Sequence, residues 1–193
     1  IVKNNLVIIL ATLVGWILFK YLLVGNVSFE QSFKYGFMFH ATALMTYAVI
    51  ATYNGIRALR PTPDFLDGFK HVAKTVVGYA VGATTVVGLW HHVIMKDATH
   101  ARFISVLDSI STTFSSEEEY LNHIAENNLP NDVSLSEWIL SQQEGVEIFY
   151  AAKTQISLTL MVYLLAGIFI SFVASLLWTK VWAIPQQNPS KFR

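Results

Sequence analysis

The chain has 193 residues, 53% of them hydrophobic and only 13% charged. That charged share is about half the average for a soluble domain, so a membrane protein is expected. Thirteen bases balance thirteen acids, which argues against nucleic acid as a partner, and the lack of cysteine excludes disulfides, iron–sulfur clusters, c-type haem attachment and cysteine nucleophiles.

Four stretches approach the roughly 20 apolar residues that a helix needs to cross a hydrocarbon core of about 30 Å. The first, 6–24, reads LVIILATLVGWILFKYLLV and carries one lysine. Its apolar run is long for a signal peptide and no small-x-small site precedes Gly25, so a retained span is expected. The numbering opens at Ile1 rather than methionine, and a preceding segment is expected as well.

The second span lies within 32–59 around YGFMFHATALMTYAVIATYNGI, and Arg60-Pro61-Thr62-Pro63 stops it, because proline cannot continue a helix. The third is 72–95 and the fourth 154–182. The fold class predicted is an all-α integral membrane four-helix bundle. Residues 1–95 form spans 1–3, 96–153 an acidic helical insertion outside the cytoplasm, and 154–193 span 4 with a cytoplasmic tail.

Charge sets the expected orientation. Lys3, Arg57, Arg60, Lys70, Lys74, Lys180, Lys191 and Arg193 fall on one side of an even number of spans. The segment 96–153 on the other side holds ten acids against Lys96, Arg102 and Lys153. Positive charge marks the cytoplasmic face. Both termini are therefore expected inside and the insertion outside, as in a bacterial inner membrane. Lys20 and Lys74, near span ends, are expected to snorkel to the headgroups. Trp178 and Trp182 mark the inner interface, Trp90 and Tyr21 the outer.

Helices in lipid associate through small residues. Gly78 and Gly82, continued by Thr75 and Thr85, form such a ladder on span 3. Gly167, Ser171 and Ser175 form one on span 4, and span 2 offers Ala48 with Thr52 and Ala51 with Gly55. These ladders serve packing within the chain or contact with another membrane subunit.

The insertion has helical patterning. Phe103, Val106, Leu107, Ile110 and Phe114 repeat on one face, Ser116 to Glu119 reads as a capping box, and Asn127-Asn128-Leu129-Pro130 breaks the helix it opens. Ser134 to Glu137 starts a third helix bearing Trp138 and Ile139. Its apolar residues either pack on the bundle and the interface or form a partner-docking surface anchored by Phe103, Phe114 and Trp138.

His91 and His92 end the third span, with His100 beyond it. Adjacent helical residues point about 100° apart, so this pair does not chelate a metal from one face, and no HxxxH spacing occurs. No metal site is expected. His40 in span 2 reaches a similar depth in the outer half of the membrane as His91, at about 1.5 Å rise per residue. Such a pair could ligate a b-type haem or bind a quinone head, the alternative to two interfacial histidines without a cofactor.

No carboxylate occurs inside a span, unlike in most proton- and cation-coupled transporters. No Ser-His-Asp, HExxH, P-loop or GxGxxG pattern is present. A non-enzymatic structural or accessory subunit of a larger membrane complex is therefore expected, with the bilayer and other membrane subunits as partners. The alternative is an electron-transfer subunit using His40 and His91.

"SFEQSFKYGFMF" (28–39), "FLDGFKHVAKTVVGYAV" (65–81) and a helical insertion before the last span resemble a family of uncharacterised four-span membrane proteins common in Bacteroidetes. The resemblance implies a four-helix membrane fold, and no catalytic residues can be carried over from it.

Overall fold

The computed structural model describes residues 2–59, 64–127 and 133–182. The Arg60-Pro61-Thr62-Pro63 stop, the Asn128-Leu129-Pro130 break, Lys191 and Arg193 lie outside them. The described residues form helices joined by short turns, with no strand among them. The helices are α1 (Val2–Leu23), α2 (Phe29–Leu59), α3 (Phe65–Leu89), α4 (Lys96–Ser111), α5 (Glu117–Glu126), α6 (Leu135–Tyr150) and α7 (Ala152–Leu177). Two π-helical turns, Trp90–Ile94 and Trp178–Trp182, follow α3 and α7.

Among the described residues, three stretches are long and apolar enough to cross a membrane: Leu6–Leu23, Phe65–Ile94 and Ala152–Val181. This is what a membrane-embedded protein requires. The expected second span is different. At 31 residues α2 is about 46 Å long, but its polar side chains, among them Gln31, Ser32, Lys34, His40 and three threonines, keep it out of that set.

Local chemistry explains the first turn. After α1, Gly25 adopts φ +77°, the left-handed conformation that closes helix C-termini, and Asn26 N–H donates to the Leu23 carbonyl at 3.1 Å. Ser28 then caps α2. Its Oγ accepts from Gln31 N at 3.2 Å, while Gln31 Oε1 accepts from Ser28 N at 3.4 Å. This reciprocal capping box starts α2 three residues before the position expected for the second span.

The chain divides into two compact units, Ile1–Val87 with Leu158–Arg193, and Gly88–Ser157. The first contains α1, α2 and most of α3 and α7. Its core stripe on α2 runs through His40, Leu44, Tyr47, Ala48 and Ala51, at helical spacing. On α7 the stripe is Tyr163, Gly167, Ser171 and Ser175, whereas Leu165 and Phe169 point outward. On α3 the buried stripe is Val72, Val76, Tyr79, Ala80 and Ala83. Of the Gly78–Gly82 ladder, only Gly82 packs within this unit. Gly78 is exposed, and a Cβ built there would meet nothing within 4 Å. Gly82 receives the Leu13 side chain and Gly167 receives Val76, whose nearest atoms lie 2.7 and 2.8 Å from an ideal Cβ.

The second unit pairs α4 with α6. Gln143 Nε2 donates to Ser111 Oγ at 3.0 Å at one end, and Phe103 meets Tyr150 with ring centroids 5.5 Å apart at the other, so the two helices run antiparallel. Ser134 and Glu137 form a complete capping box at α6. The box expected at Ser116 and Glu119 is only half made: Ser116 Oγ accepts from Glu119 N, but the Glu119 carboxylate accepts from Ser115 N at 2.7 Å and Ser115 Oγ at 2.6 Å instead. α4 stops at Ser111, so Phe114, expected on its apolar face, lies in the turn after it. There Thr112 and Thr113 hydroxyls turn back on carbonyls of the last turn.

Candidate functional site

The turn at Gly25 folds α1 against α2, and each helix presents residues spaced by four. On α1 these are Thr12, Trp16 and Lys20; on α2, Ser32, Gly36 and His40. Lys20 Nζ donates to the Ser32 carbonyl at 2.9 Å and Ser32 Oγ at 2.6 Å. One turn along, Trp16 Nε1 donates to the Gly36 carbonyl at 3.1 Å. The two contacts share one antiparallel register, since four residues back on α1 match four forward on α2. Further along, Thr12 Oγ1 and Tyr47 Oη share a hydrogen bond of 2.7 Å.

Gly36 makes the close approach possible. A Cβ there would sit 3.3 Å from Lys20 Cδ and 3.4 Å from the Trp16 indole. Lys20 therefore does not snorkel to a surface as expected. It is 2% exposed, its ammonium lies 5.8 Å from the Trp16 ring centroid, and the α2 backbone receives its protons. A buried ammonium is tolerated only when hydrogen-bonded, and the ring face adds a cation–π attraction.

His40 is the centre of the cluster and is fully buried. Its ring stacks on Trp16 at a centroid distance of 4.8 Å, and Tyr163 of α7 lies 5.4 Å away. Nδ1 is 2.8 Å from Tyr79 Oη of α3. Nε2 is also buried but has no hydrogen-bond partner among the described residues. One histidine thus touches side chains of α1, α3 and α7 from its place on α2. The arrangement holds four helices in one relative rotation, and it fixes an imidazole with one nitrogen engaged and one free.

A second cluster lies at the other end of these helices. Trp178, 1% exposed, packs its indole beside Gly55 of α2, Gly68 and His71 of α3 and Ser175 of α7. Ser175 Oγ donates to the Phe65 carbonyl at 2.9 Å. Trp178 Nε1 has no hydrogen-bond partner among the described residues. Ser171, the next rung on α7, is fully buried and donates to the Gly167 carbonyl.

The other candidate residues fall elsewhere. His91 lies in the π-turn of the second unit and is buried; His40 belongs to the first. Phe114 and Trp138 pack on each other at 5.4 Å between centroids, with Tyr120 against both and His123 against Phe114. Phe103 packs on Tyr150 and His100. All three expected docking anchors are half-buried in contacts inside the second unit. Sequence reasoning singled out His40 but missed Trp16, Gly36, Ser32, Tyr79 and Tyr163. The legible signal was the pair of i, i+4 ladders flanking Gly25.

Comparison of the chain with protein-family models, with curated proteins and with solved structures finds no match.

Proposed function

We propose that this chain is a non-enzymatic structural or accessory subunit of a larger membrane assembly, built as a four-span bundle with both termini cytoplasmic and the acidic insertion outside. Bacterial inner membrane is the location that the lysine and arginine distribution favours, and the resemblance to the four-span Bacteroidetes family belongs to the same reading. One observation carries it: four side-chain hydrogen bonds join polar groups of different helices across the bundle. Lys20 joins Ser32, Trp16 joins Gly36, Thr12 joins Tyr47 and His40 joins Tyr79. Such contacts specify packing. In this reading α2 crosses the membrane despite its polarity, with His40 and Thr52 buried in the bundle. Solubilisation in a mild detergent followed by native mass measurement tests it. A defined co-purifying membrane protein is expected; a homogeneous lone monomer refutes it.

One observation favours a second reading, in which His40 takes a ligand, a b-type haem or a quinone. Nδ1 on Tyr79 would fix the imidazole and leave Nε2 as the coordinating or hydrogen-bonding atom. The absorption spectrum of the purified protein and quinone extraction decide. A Soret band or bound quinone lost in His40→Ala but kept in Leu140→Ala would place this reading first.

A further inference from the structure

The second unit contains the ends of two apolar stretches, since Phe65–Ile94 finishes in it and Ala152–Val181 begins in it. Large apolar side chains crowd these ends without being covered. Val93 is 65% exposed, Ile148 64% and Phe149 53%. Val93 lies next to the last residue of one apolar stretch, and Phe149 three residues before the other. The Phe103–Tyr150 contact ties the first half of α4 to this same end of α6.

Charge is distributed along the α4–α6 pair. Lys96 and Arg102, with Lys153 just beyond α6, lie at the end near the apolar stretches together with Asp97 and Glu147. Asp108, Glu117, Glu118, Glu119, Glu126, Glu137 and Glu144 lie toward the other end. The near end is thus apolar with charges of both signs, and the far end is acidic.

We infer that the near end of this unit is a membrane-interface collar, with Val93, Ile148 and Phe149 inserted into the headgroup and upper acyl region of a zwitterionic phospholipid leaflet. The occupant follows from continuity. Residues that extend an apolar span by one turn meet the solvent that the span meets, and amphipathic segments rich in large apolar residues settle at that boundary. The mixed charge at the near end suits zwitterionic headgroups, which carry both signs, and the acids at the far end keep it in water. The inference rests on α3 and α7 crossing a bilayer.

The chain has no native cysteine, so single cysteines report cleanly. Val93→Cys, Phe149→Cys, Leu140→Cys and Phe169→Cys are each labelled with an environment-sensitive fluorophore in the full chain, reconstituted into phosphatidylcholine vesicles. Leu140 is exposed and stands about 15 Å along α6 from Tyr150, and Phe169 is exposed in the middle of α7. The expected result is several-fold stronger quenching of labels 93 and 149 by a shallow nitroxide lipid than of label 140, with protection from iodide, at low and high salt alike. Labels 93 and 149 as iodide-accessible as 140, while 169 reports deep lipid, overturn the collar and leave the spans standing. An aqueous label at 169 overturns the spans themselves. Protection of 93 and 149 from both quenchers means that protein covers them, and also overturns the collar. The two collar positions are read separately, and each labelled protein must match the parent in thermal unfolding.

Discussion

Gly55→Ala tests the packing of Trp178 directly. A Cβ added at Gly55 would lie 2.8 Å from His71 Cδ2 and 2.8 Å from Trp178 Cζ3, closer than side chains pack. The indole cannot swing away freely, because its Cε3 edge already lies 3.3 Å from where a Cβ of Gly68 would be, and it is almost wholly buried. Forcing a methyl into a filled core costs about 1–3 kcal/mol, and with two rings obstructed the upper part of that range applies. Replacing glycine by alanine inside a helix returns about 1 kcal/mol of propensity. The net expectation is a loss of about 1–2 kcal/mol. Gly78→Ala is the matched control, since its Cβ meets nothing; it should gain about 0.5–1 kcal/mol. Thermal or denaturant unfolding in detergent micelles measures both. The double variant Gly55→Ala with Trp178→Leu should lose less than the sum of its parts, because the smaller side chain frees the space. If Gly55→Ala is as stable as the parent protein, or if the two glycine variants shift stability equally, the packing argued for Trp178 is refuted.

Lys20→Met keeps the stem on Trp16 and removes a buried charge, so it should be near neutral, whereas Lys20→Ala also loses packing and should fall below it by about 1–2 kcal/mol in the same unfolding assay. Tyr79→Phe strands His40 Nδ1 and should cost about 1–3 kcal/mol; adding His40→Phe should cost less than a second independent loss, since both partners of one hydrogen bond are then gone. The Glu137 carboxylate is held below its ordinary value of 4.5 by the Ser134 N–H and then the Ser134 hydroxyl, and Glu119 likewise by the Ser115 hydroxyl and N–H. A carboxylate lowered in the folded state stabilises it above the ordinary value and loses that contribution as pH falls through the lowered one. Circular dichroism of the helices between pH 6 and the acid limit should therefore show loss of helix below about 4.5 that Glu137→Gln reduces; an unchanged acid profile contradicts the capping role.

Helix content and the three apolar stretches are properties of composition and run length, and they were legible residue by residue. The caps were legible for the same reason: Ser134 and Glu137 act within one turn, so four residues of sequence contain the whole interaction. Where a cap was misjudged, as at Glu119, the two serines before it offered equivalent donors and only the backbone path chose between them. The direction each helix turns is another matter. Gly78 and Gly82 look equivalent in sequence, yet only Gly82 takes a neighbour, because the buried face of α3 is set by Tyr79 reaching His40 and Val76 reaching Gly167. Lys20 at a helix end reads as a surface lysine. It is buried because the glycine opposite it, sixteen residues on, leaves room for its stem and Ser32, one turn before that glycine, accepts its protons. Sequence determined which segments leave water; tertiary structure decided which side chains face one another, since that depends on pairs far apart in the chain and on the space that a missing Cβ opens between them.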